Sequence, residues 1–203
     1  MTKTISDFKR IDDLVTKAIK TSPSSVADKI KEVSHEIIET RCESRSDRNL
    51  ARVGTVNGLA VYEETGITAF TEDLMECGES FATILKNLAQ VFNVKNDVIR
   101  IFLENSNATI AFNLNGGLHF NLLYYQKLHY LKKEISMMEV YFFWYSTFCH
   151  ELAHNIVSSH DEEHSFLTEH MQYSYFKQLF PQLMQMANNQ AETKKPAKMF
   201  YWF

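Results

Sequence analysis

A chain of 203 residues that is 45% hydrophobic and 13% aromatic carries enough apolar surface for one sizeable core, which excludes the disordered and fibrous classes. No apolar run reaches the roughly 18 residues needed to cross a bilayer, and the polar start MTKTISDFKR lacks a signal-peptide core, so an intracellular protein, cytoplasmic or nuclear, with no membrane partner is expected. The 25 acidic residues outnumber the 21 Lys and Arg, and the excess falls after residue 52, so no basic surface for direct nucleic-acid binding is expected.

The chain divides into an N-terminal helical segment over 1–50, a main domain over 51–190 and a flexible tail over 191–203 containing Lys194, Lys195 and Lys198. Within 1–50 two helical stretches flank Thr21-Ser-Pro-Ser-Ser25, and Val26, Ile30, Val33 and Ile37 form a narrow apolar stripe suited to a protein partner or to the core. Short β-prone runs around Gly54, Gly58 and Gly66 predict strands and turns over 53–70. Leu74, Cys77, Phe81, Ile84, Leu85, Leu88, Val91 and Phe92 recur at helical spacing and predict an amphipathic core helix. Three further strands are predicted over 98–103, 108–113 and 118–123, with Asn115-Gly116 as a hairpin turn between the last two.

The apolar stretch 140–149 then runs into His150-Glu151-Leu152-Ala153-His154. Tyr141, Tyr145, Phe148, Leu152 and Ile156 fall on one helical face, with His150, His154 and Val157 on a neighbouring stripe. Four residues advance about 400° around an α-helix, so both imidazoles can reach one Zn²⁺ ion. Glu151, turned by about 100°, is placed as a general base toward a water on that ion rather than as a ligand. The three isolated cysteines, Cys42, Cys77 and Cys149, form no CxxC pair and no disulfide framework. Cys149 adjoins His150 but points about 100° away from it on a helix, so it is expected to be a buried apolar residue rather than a nucleophile.

A third ligand has to come from downstream. His160, ten residues after His150, completes HxxxHxxxxxH and ranks first, while His164 and Glu169 are the alternatives. Ser158-Ser159 is expected to end the helix. Ser159 with Glu162 has the form of a capping box, predicting a second helix that starts at His160 and carries His160 and His164 on one face. Phe166, Tyr173, Phe176 and Phe180 continue that helix as far as Pro181, after which Gln182 to Gln190 fade into a polar end.

His150-Glu-Leu-Ala-His-Asn155 followed by His160 resembles the HELAHN-x4-H signature of WLM-type metalloproteases, relatives of the SprT-like enzymes that cut proteins crosslinked to DNA. Val157 stands where the metzincin pattern carries Gly. Over roughly residues 50–175 the chain also resembles the C-terminal region of large fungal and plant proteins that begin with a histidine-kinase-like, sacsin-related ATPase domain. That resemblance is carried by Val53-Gly-Thr-Val-Asn-Gly58, Ile110-Ala-Phe-Asn113, Phe120-Asn121, the histidine motif and His164-Ser-Phe-Leu-Thr-Glu169. It implies a zincin-like module with His150 and His154 as metal ligands and Glu151 as the catalytic residue. His160 and Glu169 match positions the pattern also carries.

The expectation is therefore an α+β, zincin-like domain with a mixed or antiparallel sheet, an HExxH helix and a following helix that closes the site. Its expected activity is hydrolysis of a peptide or protein substrate by zinc-activated water, with His150, His154 and His160 as ligands and Glu151 as base. The alternative is an inactive zincin-like interaction module of a larger chaperone- or ATPase-related assembly.

Overall fold

The computed structural model describes residues 5–20, 50–64, 71–104, 109–132 and 134–193. It has a mixed α/β architecture, with a five-stranded mixed sheet in the order β1-β2-β3-β5-β4. The chain opens with α1 (Ile5–Lys20), then a hairpin of β1 (Leu50–Val56) and β2 (Leu59–Glu64), and the long helix α2 (Glu72–Phe92). The strand β3 (Ile99–Leu103) follows, then the hairpin β4 (Ala111–Leu114) and β5 (Gly117–Asn121). After β5 come the one-turn helix α3 (Leu122–Tyr125), a π-helical turn at Gln126–Tyr130, α4 (Met137–Ala153) and α5 (Glu162–Thr193). The second N-terminal stretch with Val26, Ile30, Val33 and Ile37, and also Gly66, lie outside the described residues.

Both hairpins close on Asn-Gly. Asn57 and Gly58 have φ of 47° and 81°, and Asn115 and Gly116 of 52° and 82°, the left-handed pair whose twist matches that of flanking strands. From β3 the chain passes to the sheet edge as β4 and returns as β5, which inserts between β3 and β4. It runs parallel to β3, with Ile101 opposite Phe120, and antiparallel to β4, with Ala111 opposite Phe120.

The helical face of the sheet is covered by α2 and α4. Phe81, Leu85, Leu88 and Phe92 of α2 are buried, as their spacing predicts. They meet an aromatic layer in which Phe120 stacks on Phe148 with centroids 4.8 Å apart, and Phe92 stacks on Phe148 at 5.6 Å. Trp144 lies edge-on to Phe81 at 4.6 Å. Burial of such side chains contributes roughly 1.5–3 kcal/mol each, and this layer holds α4 against the sheet.

Among the element boundaries that differ from expectation, four have a local cause. The last predicted strand stops at Asn121, two residues before its expected end, because the Asn121 side chain accepts the backbone N–H groups of Leu123 and Tyr124 and starts α3. The motif helix ends at Ala153, so Ile156 leaves the buried stripe and sits half-buried in the following turn. The second helix starts at Glu162, not His160: Asp161, rather than Ser159, caps it by accepting the His164 N–H at 3.0 Å. Finally, α5 continues through Pro181 to Thr193 and takes in the first residues of the expected tail. Leu179 and Leu183, buried on either side of the proline, anchor both halves of the helix and offset the one backbone hydrogen bond a proline removes.

Candidate metal centre

The last turn of α4 supplies His150, and His154 is the residue that caps its end, still in right-handed helical geometry at φ −63° and ψ −14°. The two side chains therefore keep the one-turn spacing expected of a continuous helix, although the helix stops between them. His160 enters from the loop between α4 and α5, and His164 from the first turn of α5. Each of the four offers a ring nitrogen, and these atoms all lie within 4.8 Å of one another, close enough to hold one metal ion.

His160 stands at ligand spacing from both His150 and His154. His150 Nε2 is 3.0 Å and His154 Nε2 3.2 Å from His160 Nε2. A tetrahedral ion bound at about 2.0–2.1 Å needs donor atoms roughly 3.3 Å apart, so the observed spacings are within a few tenths of an ångström of that requirement. His154 Nδ1 donates to the Val157 carbonyl at 3.0 Å, which puts the ring proton on Nδ1 and leaves the Nε2 lone pair facing the cluster.

The electrostatics keep these rings neutral. Burial pushes His150 down to about 3, and the imidazoles of His164, His154 and His160 around it add to the effect. Burial likewise takes His154 down to about 4, against a smaller opposing pull from its bond to Val157. His160 and His164 are also lowered, chiefly by burial. A cluster of neutral imidazoles at pH 7 is the protonation state that metal binding requires. An imidazole-only donor set suits Zn²⁺, Cu²⁺, Ni²⁺ or Fe²⁺ and does not suit Ca²⁺ or Mg²⁺, which take oxygen ligands. Cys149 adds no thiolate, because it is buried and burial pushes its thiol well up.

Every carbonyl left without an intrahelical partner by the end of α4 is satisfied, and the partners define the site's frame. His164 Nε2 donates to the His150 carbonyl at 3.3 Å, and Asn113 Nδ2 to the Glu151 carbonyl at 2.7 Å. The Leu152 carbonyl takes the Asn155 N–H, and the Ala153 carbonyl takes those of Ile156 and Val157. Asn113 also donates to Asn155 Oδ1 at 2.8 Å while its own Oδ1 accepts the Gly116 N–H at 2.9 Å. Asn155 in turn donates to the Ala18 carbonyl of α1 at 2.7 Å. Two side-chain amides thus tie the β4–β5 turn, the motif helix and α1 together behind the histidines.

Of the sequence candidates, His150, His154 and His160 come together, and His164 joins them. Glu151 is buried in the same turn of α4. Glu169 does not join them. It is exposed on α5, because five residues beyond His164 carry it about 140° around that helix. His119, His129 and His170 lie elsewhere: His119 stacks on Phe112, His129 sits against Phe143, and His170 bonds Asp12 at 2.8 Å. His35 is outside the described residues. Asn113 belongs to the frame of this candidate site, a place that sequence reasoning missed. Its signals are its place in Ile110-Ala-Phe-Asn113 and its position before the Asn115-Gly116 turn, and neither says anything about a partner on α4. The hydroxyls of Tyr125, Tyr141 and Tyr145 are engaged with Ser80, Asn87 and the Gln172 carbonyl, so these three serve packing.

No protein-family model matches this chain, and no curated protein or solved structure matches it significantly. Among the described residues, no helix is long and apolar enough to cross a membrane.

Proposed function

We propose that this chain is a zinc-dependent peptidase of zincin type, with His150, His154 and His160 as the ligands and Glu151 as the general base. The observation that carries the proposal is that His160 Nε2 lies 3.0 Å and 3.2 Å from the Nε2 atoms of His150 and His154, close to a tetrahedral edge, with a buried carboxylate beside His150 on α4. A bound zinc ion supplies Lewis acidity that makes water a competent nucleophile near neutral pH. The Glu151 carboxylate takes a proton from the attacking water and returns it to the departing amine. Among the described residues β4 ends the sheet on this side, and it is tied to the motif helix through Asn113. It is therefore the edge along which an extended peptide would pair, held by backbone hydrogen bonds beside the histidines.

Zinc content measured on untagged protein tests the proposal. About one zinc per chain is expected, with loss in both His154→Ala and His160→Ala, and with Glu151→Gln keeping its metal but failing to cleave an unfolded protein substrate. A native chain that takes up no zinc would sink the reading.

One observation favours a second reading, a metal-stabilised interaction module without catalysis. His164 is buried inside the cluster, and four protein ligands would leave a tetrahedral ion no place for water. In that case zinc removal would unfold the chain and Glu151→Gln would change nothing.

A further inference from the structure

We propose that His164 is a displaceable fourth ligand, so that the centre rests closed, with four imidazoles, and opens when His164 withdraws. The inference rests on the metal centre described above but not on peptide hydrolysis.

The four rings are not equivalent. His150 and His154 sit on the end of α4, and both face His160 Nε2 at distances a tetrahedral ion accepts without rearrangement. His164 belongs to a different helix and is 2% exposed. Its ring centroid lies 4.1 Å from that of His154 and 4.5 Å from that of His150. With all four donor atoms within 4.8 Å of one another and a tetrahedral edge of about 3.3 Å, no separation in the cluster has to close by more than about 1.5 Å for all four to ligate. A buried imidazole that close to the other three competes directly with water for the fourth place.

His164 also has somewhere to go. Its Nε2–H donates to the His150 carbonyl, which leaves the lone pair on Nδ1 for the ion. In the withdrawn state the same bond to the helix-end carbonyl holds the ring, so withdrawal leaves neither His164 nor that carbonyl unsatisfied. The residue is carried on the first turn of α5, set by the Asp161 cap at 3.0 Å, after a loop that ends the motif helix. His150 and His154 stand on the end of α4 and His164 on α5, so a rotation of the first turn of α5 would shift His164 relative to the other two. A ligand that binds zinc through oxygen, such as a hydroxamate or a substrate carbonyl, would favour the open state by as much as it prefers the vacated position.

X-ray absorption at the zinc edge, which counts imidazole ligands, tests this on the zinc-loaded chain. The native protein should show four imidazoles, falling to three plus an oxygen ligand in His164→Gln and on saturation of the native protein with acetohydroxamic acid. His164→Gln should bind acetohydroxamic acid at least tenfold more tightly, since no imidazole has to leave. Three imidazoles in the native protein would overturn the inference, whatever the variant does. Four imidazoles that persist under saturating hydroxamate would overturn the displaceable part and leave a permanently closed site. Peptidase activity is read separately: four imidazoles with no cleavage by the native chain or by His164→Gln would end the peptidase proposal and leave this inference intact.

Discussion

Asn113 donates its side-chain amide to the backbone carbonyl of Glu151 at 2.7 Å, joining an edge strand to the helix turn that carries the proposed base. The bond satisfies a carbonyl that would otherwise be orphaned at the end of α4. The same amide reaches Asn155, so the site's frame is held by groups that do not themselves touch a metal.

Replacing Asn113 by Ala should therefore destabilise the fold by about 1–3 kcal/mol, the cost of leaving a half-buried carbonyl and Asn155 Oδ1 without their donor. Urea unfolding gives the value, and the same variant should weaken zinc binding although no ligand has been changed. An unchanged urea midpoint would show that the amide merely rests against the helix.

Glu151→Gln preserves size and burial while removing the base. Hydrolysis should fall by at least about 100-fold with zinc content and thermal unfolding close to native. If cleavage persists at the native rate, the proton acceptor is another group.

Acid should weaken the metal-free protein in a defined direction. His150 and His154 are held at about 3 and about 4 in the folded chain, against an ordinary value near 6.5. Between those limits the unfolded chain binds protons that the folded chain does not, so stability is highest above about pH 6.5 and falls as pH drops toward the folded values. Urea midpoints at pH 7 and pH 5 should show this loss. A His150→Ala, His154→Ala double variant should reduce it, and added zinc should displace the decline to lower pH. A pH-independent midpoint would mean that the two rings titrate normally.

His129 makes a contribution of the same sign without belonging to the centre. Burial takes it down to about 4, and neither ring nitrogen has a hydrogen-bond partner. The ring lies against Phe143, 5.1 Å between centroids, on the π-helical turn. His129→Met, of similar volume, should raise stability by about 1 kcal/mol at pH 7 and by more at pH 5. A lower stability in this variant would show that the imidazole is needed where it stands, as polar groups on π turns sometimes are.

Local features of the sequence determined much of this molecule. Alternation and the two Asn-Gly pairs set the hairpins, because only residues tolerant of positive φ fit those turns. The apolar spacing from Leu74 to Phe92 set α2 and its buried face, and the four-residue step from His150 to His154 set a shared direction for two imidazoles even though the helix stops at Ala153. These are short-range consequences of backbone geometry, legible within one or two turns.

What only the tertiary structure decided lies between segments distant in the chain. His160 and His164 reach the end of α4 because the loop before α5 and its first turn, set by the Asp161 cap, fold back against it. The Asn113 bond to Glu151 depended on β4 reaching the sheet edge before β5 turned back inside it. Neither could be read from spacing, because hydrogen-bond partners and helix starts compete among several nearby Ser, Asp and Asn side chains. Packing against the rest of the fold selects one arrangement among alternatives that differ locally by only about 1 kcal/mol.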